Sequence, residues 1–131
     1  MIKKVFLENK KKVLVVDDEK NTREVIKLDL EGSGFKVKSV SSGPNALKEL
    51  RINPEYDLVL IDFFMPSMSG RELLETIRKD AELKKLRCAF LTSANFSKKG
   101  LIELKKLKVL DYITKPFLKD DLINRVKKAI Q

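Results

Sequence analysis

Five short apolar runs rich in β-branched residues, at Val13–Val16, Val37–Val40, Leu58–Ile61, Cys88–Leu91 and Val109–Ile113, alternate with stretches whose apolar residues recur at helical spacing. That alternation constrains the fold more than any other feature. Strands separated by helices must run parallel, because each crossover has to be long enough to carry a helix back over the sheet. The expected fold is therefore α/β, a doubly wound five-stranded parallel sheet with five helices. The first, third and fourth runs are continuously apolar, as strands covered on both faces are. The second carries Lys38 and Ser39 and suits an edge.

The helical stripes are Val25, Ile26, Leu28 and Leu30; Ala46, Leu47 and Leu50; Leu73, Leu74 and Ile77; Leu101, Leu104 and Leu107; and Leu118, Leu122, Val126 and Ala129. Asn21 with Glu24, and Ser69 with Glu72, have capping-box spacing. Pro44 suits a first helical position after Gly43, Ser97 can cap the fourth helix, and Gly32 and Gly34 mark the end of the first.

Composition narrows the chemistry. The 131 residues include no histidine and one cysteine, Cys88. That excludes Ser-His and Cys-His nucleophiles, His-ligated metals, cysteine zinc clusters and an internal disulfide. Cys88 itself is read as a small buried hydrophobe. A chain this long buries roughly two-thirds of its unfolded surface, enough for one domain without such staples. The division expected is a basic leader over 1–12 and one domain over 13–131, with the last helix reaching Gln131. Nothing reads as a signal peptide or membrane span, so a cytoplasmic location is expected. The net charge of +9 invites a nucleic-acid partner. No helix-turn-helix or aromatic-interleaved basic motif supports one, so no direct nucleic-acid role is expected. The lysines at 10–12, at 98 and 99, at 105, 106 and 108, and at 127 and 128 read first as solvated faces and second as a surface for an acidic partner.

Polar groups collect at the strand ends. Asp17 and Asp18 follow the first strand, Asp62 follows the third, Thr92 closes the fourth and Lys115 follows the fifth. In an open parallel sheet these ends share one edge, where ligands bind at the point of reversed strand order. With the order 2-1-3-4-5, known for such sheets, that point lies between strands one and three and the carboxylates converge. Crowded carboxylates call for a cation, and Mg²⁺ suits oxygen ligands beside phosphate. A carboxylate nucleophile, a divalent metal, an ammonium and a hydroxyl together suit phosphoryl attack by Asp. Any one of these residues alone reads as a cap or a surface charge; their joint placement does not.

The segments VLVVDDE (Val13–Glu19), LVLIDFFMPSMSG (Leu58–Gly70), FLTSA (Phe90–Ala94) and DYITKPF (Asp111–Phe117) resemble the four signature segments of the receiver domain of two-component response regulators. The resemblance runs from Val13 to the C-terminus and implies a flavodoxin-like fold. It implies that Asp62 is the phospho-acceptor, Asp18 a direct Mg²⁺ ligand and Asp17 a ligand through water. The backbone carbonyl of Phe64 would be a further metal ligand. Thr92 and Lys115 would bind phosphoryl oxygens, Thr92 and Tyr112 would form the switch, and the Lys115-Pro116 peptide would be cis. A separate sensor histidine kinase would be the donor and an unidentified downstream protein the recipient of the signal. The protein would be a monomer or a phosphorylation-dependent dimer. It would not be an enzyme beyond its own phosphorylation and slow dephosphorylation.

Two departures stand out. Phe64 and Ala94 occupy positions that border the path of hydrolytic water in the family, which implies a slow self-dephosphorylation. Lys108-Val109 stands where Gly-Ala is usual, so the left-handed turn before strand five would sit elsewhere or be absent. Alternative readings are a phosphorelay intermediate and, from another class, a Mg²⁺-dependent aspartyl-phosphate phosphotransferase or phosphatase. The second lacks the DxD acid that such enzymes commonly use.

Overall fold

The computed structural model describes residues 9–93 and 95–131. Five strands, β1 (Lys12–Val16), β2 (Lys36–Val40), β3 (Leu58–Asp62), β4 (Cys88–Thr92) and β5 (Tyr112–Thr114), alternate with α1 (Lys20–Glu31), α2 (Gly43–Ile52), α3 (Gly70–Lys79), α4 (Lys98–Lys105) and α5 (Lys119–Ile130). The sheet order is β2-β1-β3-β4-β5 with every pair parallel. The three continuously apolar runs occupy the centre and β2 lies at an edge, as their patterns require.

Strand periodicity divides the core in two. Val13, Val15, Leu58, Leu60, Ala89 and Leu91 face a cluster with Ile26 and Leu30 of α1 and Leu122 and Val126 of α5. Leu14, Val16, Val59, Ile61, Cys88 and Phe90 face the other, with residues of α2, α3 and Leu104 of α4. The free Cys88 is buried there, and burial pushes its thiol up to about 11, so it packs as an inert hydrophobe.

Several local expectations hold. Ser69 and Glu72 close both bonds of a capping box, and Ser97 accepts from the Gly100 amide. Gly34 takes the positive φ that ends the α1 turn, at 95°. Others need correction. Asn21 does not cap α1: the helix begins at Lys20, because the Asp17 carboxylate accepts the Glu19 amide at 2.9 Å and starts the turn early. Gly43, not Pro44, is the first residue of α2, and Ser42 is its cap. The α1 stripe is half core only, since Val25 and Leu28 are 50% and 74% exposed. Leu118 precedes α5 and is exposed rather than part of its stripe. Leu101 is also partly exposed, and Leu107 falls beyond the end of α4.

The fifth strand starts three residues later than Val109. The cause lies in the preceding turn, where Lys108 itself adopts the left-handed conformation, φ 57°, so the turn is present at the position the sequence put in doubt. Left-handed backbone costs a side-chain-bearing residue about 1–2 kcal/mol, and glycine's greater unfolded freedom cancels part of that on substitution. Lys108→Gly is therefore expected to stabilise the protein by about 0.5–1 kcal/mol in urea melts. A loss of stability would contradict this account of the turn.

Candidate functional site

The C-terminal ends of β1, β3, β4 and β5 deliver the predicted residues to one edge. Backbone pairing continues past the strands: the Asp17 amide reaches Val40 O at 3.2 Å, Phe63 reaches Leu91 O at 2.9 Å, and Lys115 reaches Thr92 O at 2.8 Å. These bonds hold the side chains that follow. Asp17, Asp62 and Thr92 are buried, while Asp18 is exposed. Oxygens of Asp17, Asp18 and Asp62 all lie within 4.8 Å of one another. Lys115 Nζ sits 2.7 Å from Asp17 Oδ2 and 3.5 Å from Asp62 Oδ1. The Phe64 amide donates to Asp62 Oδ1 at 3.3 Å, and the Lys115-Pro116 peptide is cis.

Gly70 makes the β3–α3 loop possible. Its amide bonds Phe63 O at 3.0 Å, and a Cβ there would fall 2.4 Å from Asp62 O and 2.8 Å from Phe63 Cα. Only glycine lets α3 begin this close to the acidic strand end.

One ammonium faces three carboxylates. Burial and then the Asp17 charge push the Asp62 carboxyl up to about 6; a hydrogen bond with Asp18 adds to this, and Lys115 and the Phe64 amide oppose it. For Lys115, burial alone would lower the pKa, but the hydrogen bond and charge of Asp17, with the charges of Asp62 and Glu19, outweigh it and raise it. The pocket thus gathers more carboxylates than ammonium groups, and one of them, Asp62, resists ionising. That is a donor set suited to a hard divalent cation.

Beside this cluster lies a cavity of about 580 Å³ lined by Asp62, Lys115 and Ser93, with an apolar wall of Val25, Phe64, Pro116 and Phe117. Of that wall only Phe64 and Pro116 stood out in the sequence, because Val25 has the spacing of a core residue and Phe117 carries no periodicity. Phe64 is 56% exposed at the cavity mouth, edge-on to Phe63 at 5.0 Å. Ala94, the other position bordering the water path, lies outside the described residues. Tyr112 is half-buried and packs on Phe90 and Phe96 at 6.1 and 5.6 Å.

The family model described as the response regulator receiver domain matches residues 13–127. The chain belongs to this family. The receiver domain is 34% identical over 127 residues to the chemotaxis protein CheY-3 of Vibrio cholerae, a match that covers 96% of each chain. It is 39% identical over 83 residues to the rice two-component response regulator ORR11, covering 63% of this chain and 56% of the rice protein. The chain thus spans little more than half the length of that relative. Among solved structures, the receiver domain of Francisella response regulator 1452 matches with a TM-score of 0.81 at 35% identity, over 92% of this chain and 96% of that one. CheY4 of Vibrio cholerae matches with a TM-score of 0.84 at 26% identity, over 92% and 98%. Receiver domains of this family generally bind Mg²⁺ at an acidic pocket and interact with histidine kinases and downstream effectors; in this chain Asp17, Asp18 and Asp62 form an acidic cluster. Among the described residues no helix is long and apolar enough to cross a membrane.

Proposed function

We propose that this receiver domain takes a phosphoryl group from the phosphohistidine of a separate kinase onto Asp62 and signals through the surface of α4, β5 and α5. The observation that carries the reading is the buried Asp62 carboxylate with Lys115 and two further carboxylates gathered around it. Asp62 Oδ attacks phosphorus, the bond from phosphorus to the imidazole nitrogen breaks, and the imidazole leaves with that electron pair. Asp17, Asp18, Asp62 and the Phe64 carbonyl would hold Mg²⁺, which supplies positive charge to the pocket and to the incoming oxygens. Lys115 neutralises a phosphoryl oxygen, and the Thr92 hydroxyl donates to another. With those oxygens in place, Thr92 and Lys115 draw inward and Tyr112 follows. Catalysis is confined to the domain's own phosphorylation and dephosphorylation. These 131 residues hold no histidine, so the donor is another protein or segment.

Val25, Leu28, Phe64 and Leu118, all half or more exposed, supply apolar surface on α1 and the loops after β3 and β5, and two of them line the cavity. A kinase bringing phosphohistidine to Asp62 must cover that cavity mouth, and desolvating exposed apolar side chains favours the encounter. Leu28→Asp and Leu118→Asp are expected to slow transfer from a phosphorylated kinase at least about tenfold. Labelling by acetyl phosphate should be unaltered, because neither residue is among the acidic cluster. Equal loss from both donors would mean the substitutions damage the pocket, and no loss from either would remove this docking surface.

On the output side, Leu101, Ile102 and Leu110 are 39–63% exposed beside the lysines at 98, 99, 105, 106 and 108. That chemistry fits a downstream protein presenting an acidic, partly apolar segment. A cytoplasmic setting accords with such a kinase-dependent role.

A further inference from the structure

We infer that Arg78 and Phe96 are positioning residues of the switch: Arg78 fixes the C-terminal end of α4, Phe96 ties its N-terminal end to the rings beside Asp62, and α4 turns between them as a lever. The inference rests on Asp62 being the phosphoryl acceptor.

Arg78 lies in the last turn of α3. Its Nε donates to Leu107 O at 2.7 Å and its Nη2 to Lys108 O at 3.3 Å. Its Nη1 donates to Lys84 O at 2.9 Å and Leu86 O at 2.7 Å. One guanidinium thereby joins the α4–β5 turn to the α3–β4 connection through four main-chain carbonyls, a geometry that a planar fork of fixed donors permits and an ammonium does not. Leu104, the one fully buried side chain of α4, lies within a turn of this clamp, and Arg71 reaches Glu103 at 3.7 Å on the same half. The other half is held far less. Leu101 and Ile102 are exposed, Gly100 weakens the first turn, and neither Lys98 nor Lys99 has an ion pair among the described residues.

What holds the N-terminal end is Phe96, immediately before the Ser97 cap. Its ring packs on Phe63 at 4.9 Å and on Tyr112 at 5.6 Å. Phe63 follows Asp62 in the chain, so the three rings connect the acceptor's neighbour to the switch tyrosine with Phe96 between them. In a close-packed cluster, Tyr112 cannot change place without Phe96 giving way. Movement therefore enters α4 at its N-terminal end and is resisted at the other by Arg78.

Hydrogen exchange on the full chain, with and without acetyl phosphate and Mg²⁺, reads both ends, after intact mass has established the label on Asp62. In the wild type, amides 100–102 should change exchange rate on phosphorylation by more than about tenfold, while 104–108 stay within about twofold. In Arg78→Met the change should spread to 104–108, and Arg78→Lys, which keeps the charge but loses the fork, should match Met rather than wild type. Phe96→Leu should retain the label yet reduce the response at 100–102 several-fold. A uniform response along wild-type α4 overturns the lever, as does an Arg78→Lys profile identical to wild type. If Arg78→Met fails to fold, the wild-type and Arg78→Lys profiles decide. Absence of any label on Asp62 overturns the acceptor reading and the lever with it, whereas a label with uniform α4 response overturns the lever alone.

Discussion

Free of divalent cations, the protein is expected to lose stability as the pH rises from about 4 to about 7, by about 2–3 kcal/mol more than its Asp62→Asn variant. The sign follows from the direction of the Asp62 shift. Its carboxyl ionises at about 6 in the folded chain, above the ordinary value of 3.8, so between these values the folded state binds the proton more tightly than the unfolded one. Stability from that group is full below the unfolded value and disappears as the pH climbs through the folded one. Glu49 shifts the other way, lowered by its hydrogen bonds from Tyr56 and Lys38 and by the Lys38 charge against the opposing effect of burial, but it is present in both proteins and cancels in the difference. Saturating Mg²⁺ should reverse the loss at neutral pH, adding about 3 kcal/mol at a hundredfold excess over its dissociation constant. Asp62→Asn, with one anionic ligand fewer, should gain much less. Urea melts across pH, with EDTA or with Mg²⁺, provide the measurement. Identical pH profiles for the two proteins would mean that burial and the Asp17 charge do not raise the Asp62 carboxyl above its ordinary value.

The second large effect concerns the lifetime of the phosphoryl group. Hydrolysis needs a water placed opposite the Asp62–phosphorus bond, and the cavity beside Asp62 is bounded there by Phe64. A phenyl ring neither orients water nor readily admits it, so the phosphorylated protein should decay slowly. Phe64→Asn would put a donor and an acceptor at the cavity mouth and is expected to accelerate decay about ten- to a hundredfold. The label remaining on the intact protein after acetyl phosphate is removed gives the rate directly. A wild-type half-life of seconds that Phe64→Asn leaves unchanged would contradict the role assigned to Phe64.

Most of the sheet and of the acidic cluster was legible in the sequence for one physical reason. Buried parallel strands must be continuously apolar, so a charged residue at the end of such a run stands out, and Asp17, Asp18 and Asp62 did, while Lys115 was placed by following the fifth run. What was not legible depends on contacts between distant segments. Val25 and Leu28 have helical spacing like that of Ile26 and Leu30, and nothing local tells which half of a wide stripe meets the sheet. The early start of α1 comes from a carboxylate bonding a backbone amide, a bond that residue spacing does not announce. Arg78 looks like any arginine near a helix end, which suits the helix dipole, and only the fold brings four carbonyls to it. The left-handed Lys108 is similar: its sequence position marked a missing glycine, but not that lysine would take the same conformation. Phe63 and Phe96 have no shared periodicity and meet only because β3 and the segment before α4 lie side by side.

Whether Asp62 is the acceptor in a cation-dependent pocket is decided by intact mass after incubation with acetyl phosphate and Mg²⁺. The wild type should gain one phosphoryl group, lost when EDTA replaces Mg²⁺ and absent in Asp62→Ala. No gain, or a gain that persists in Asp62→Ala, would contradict it.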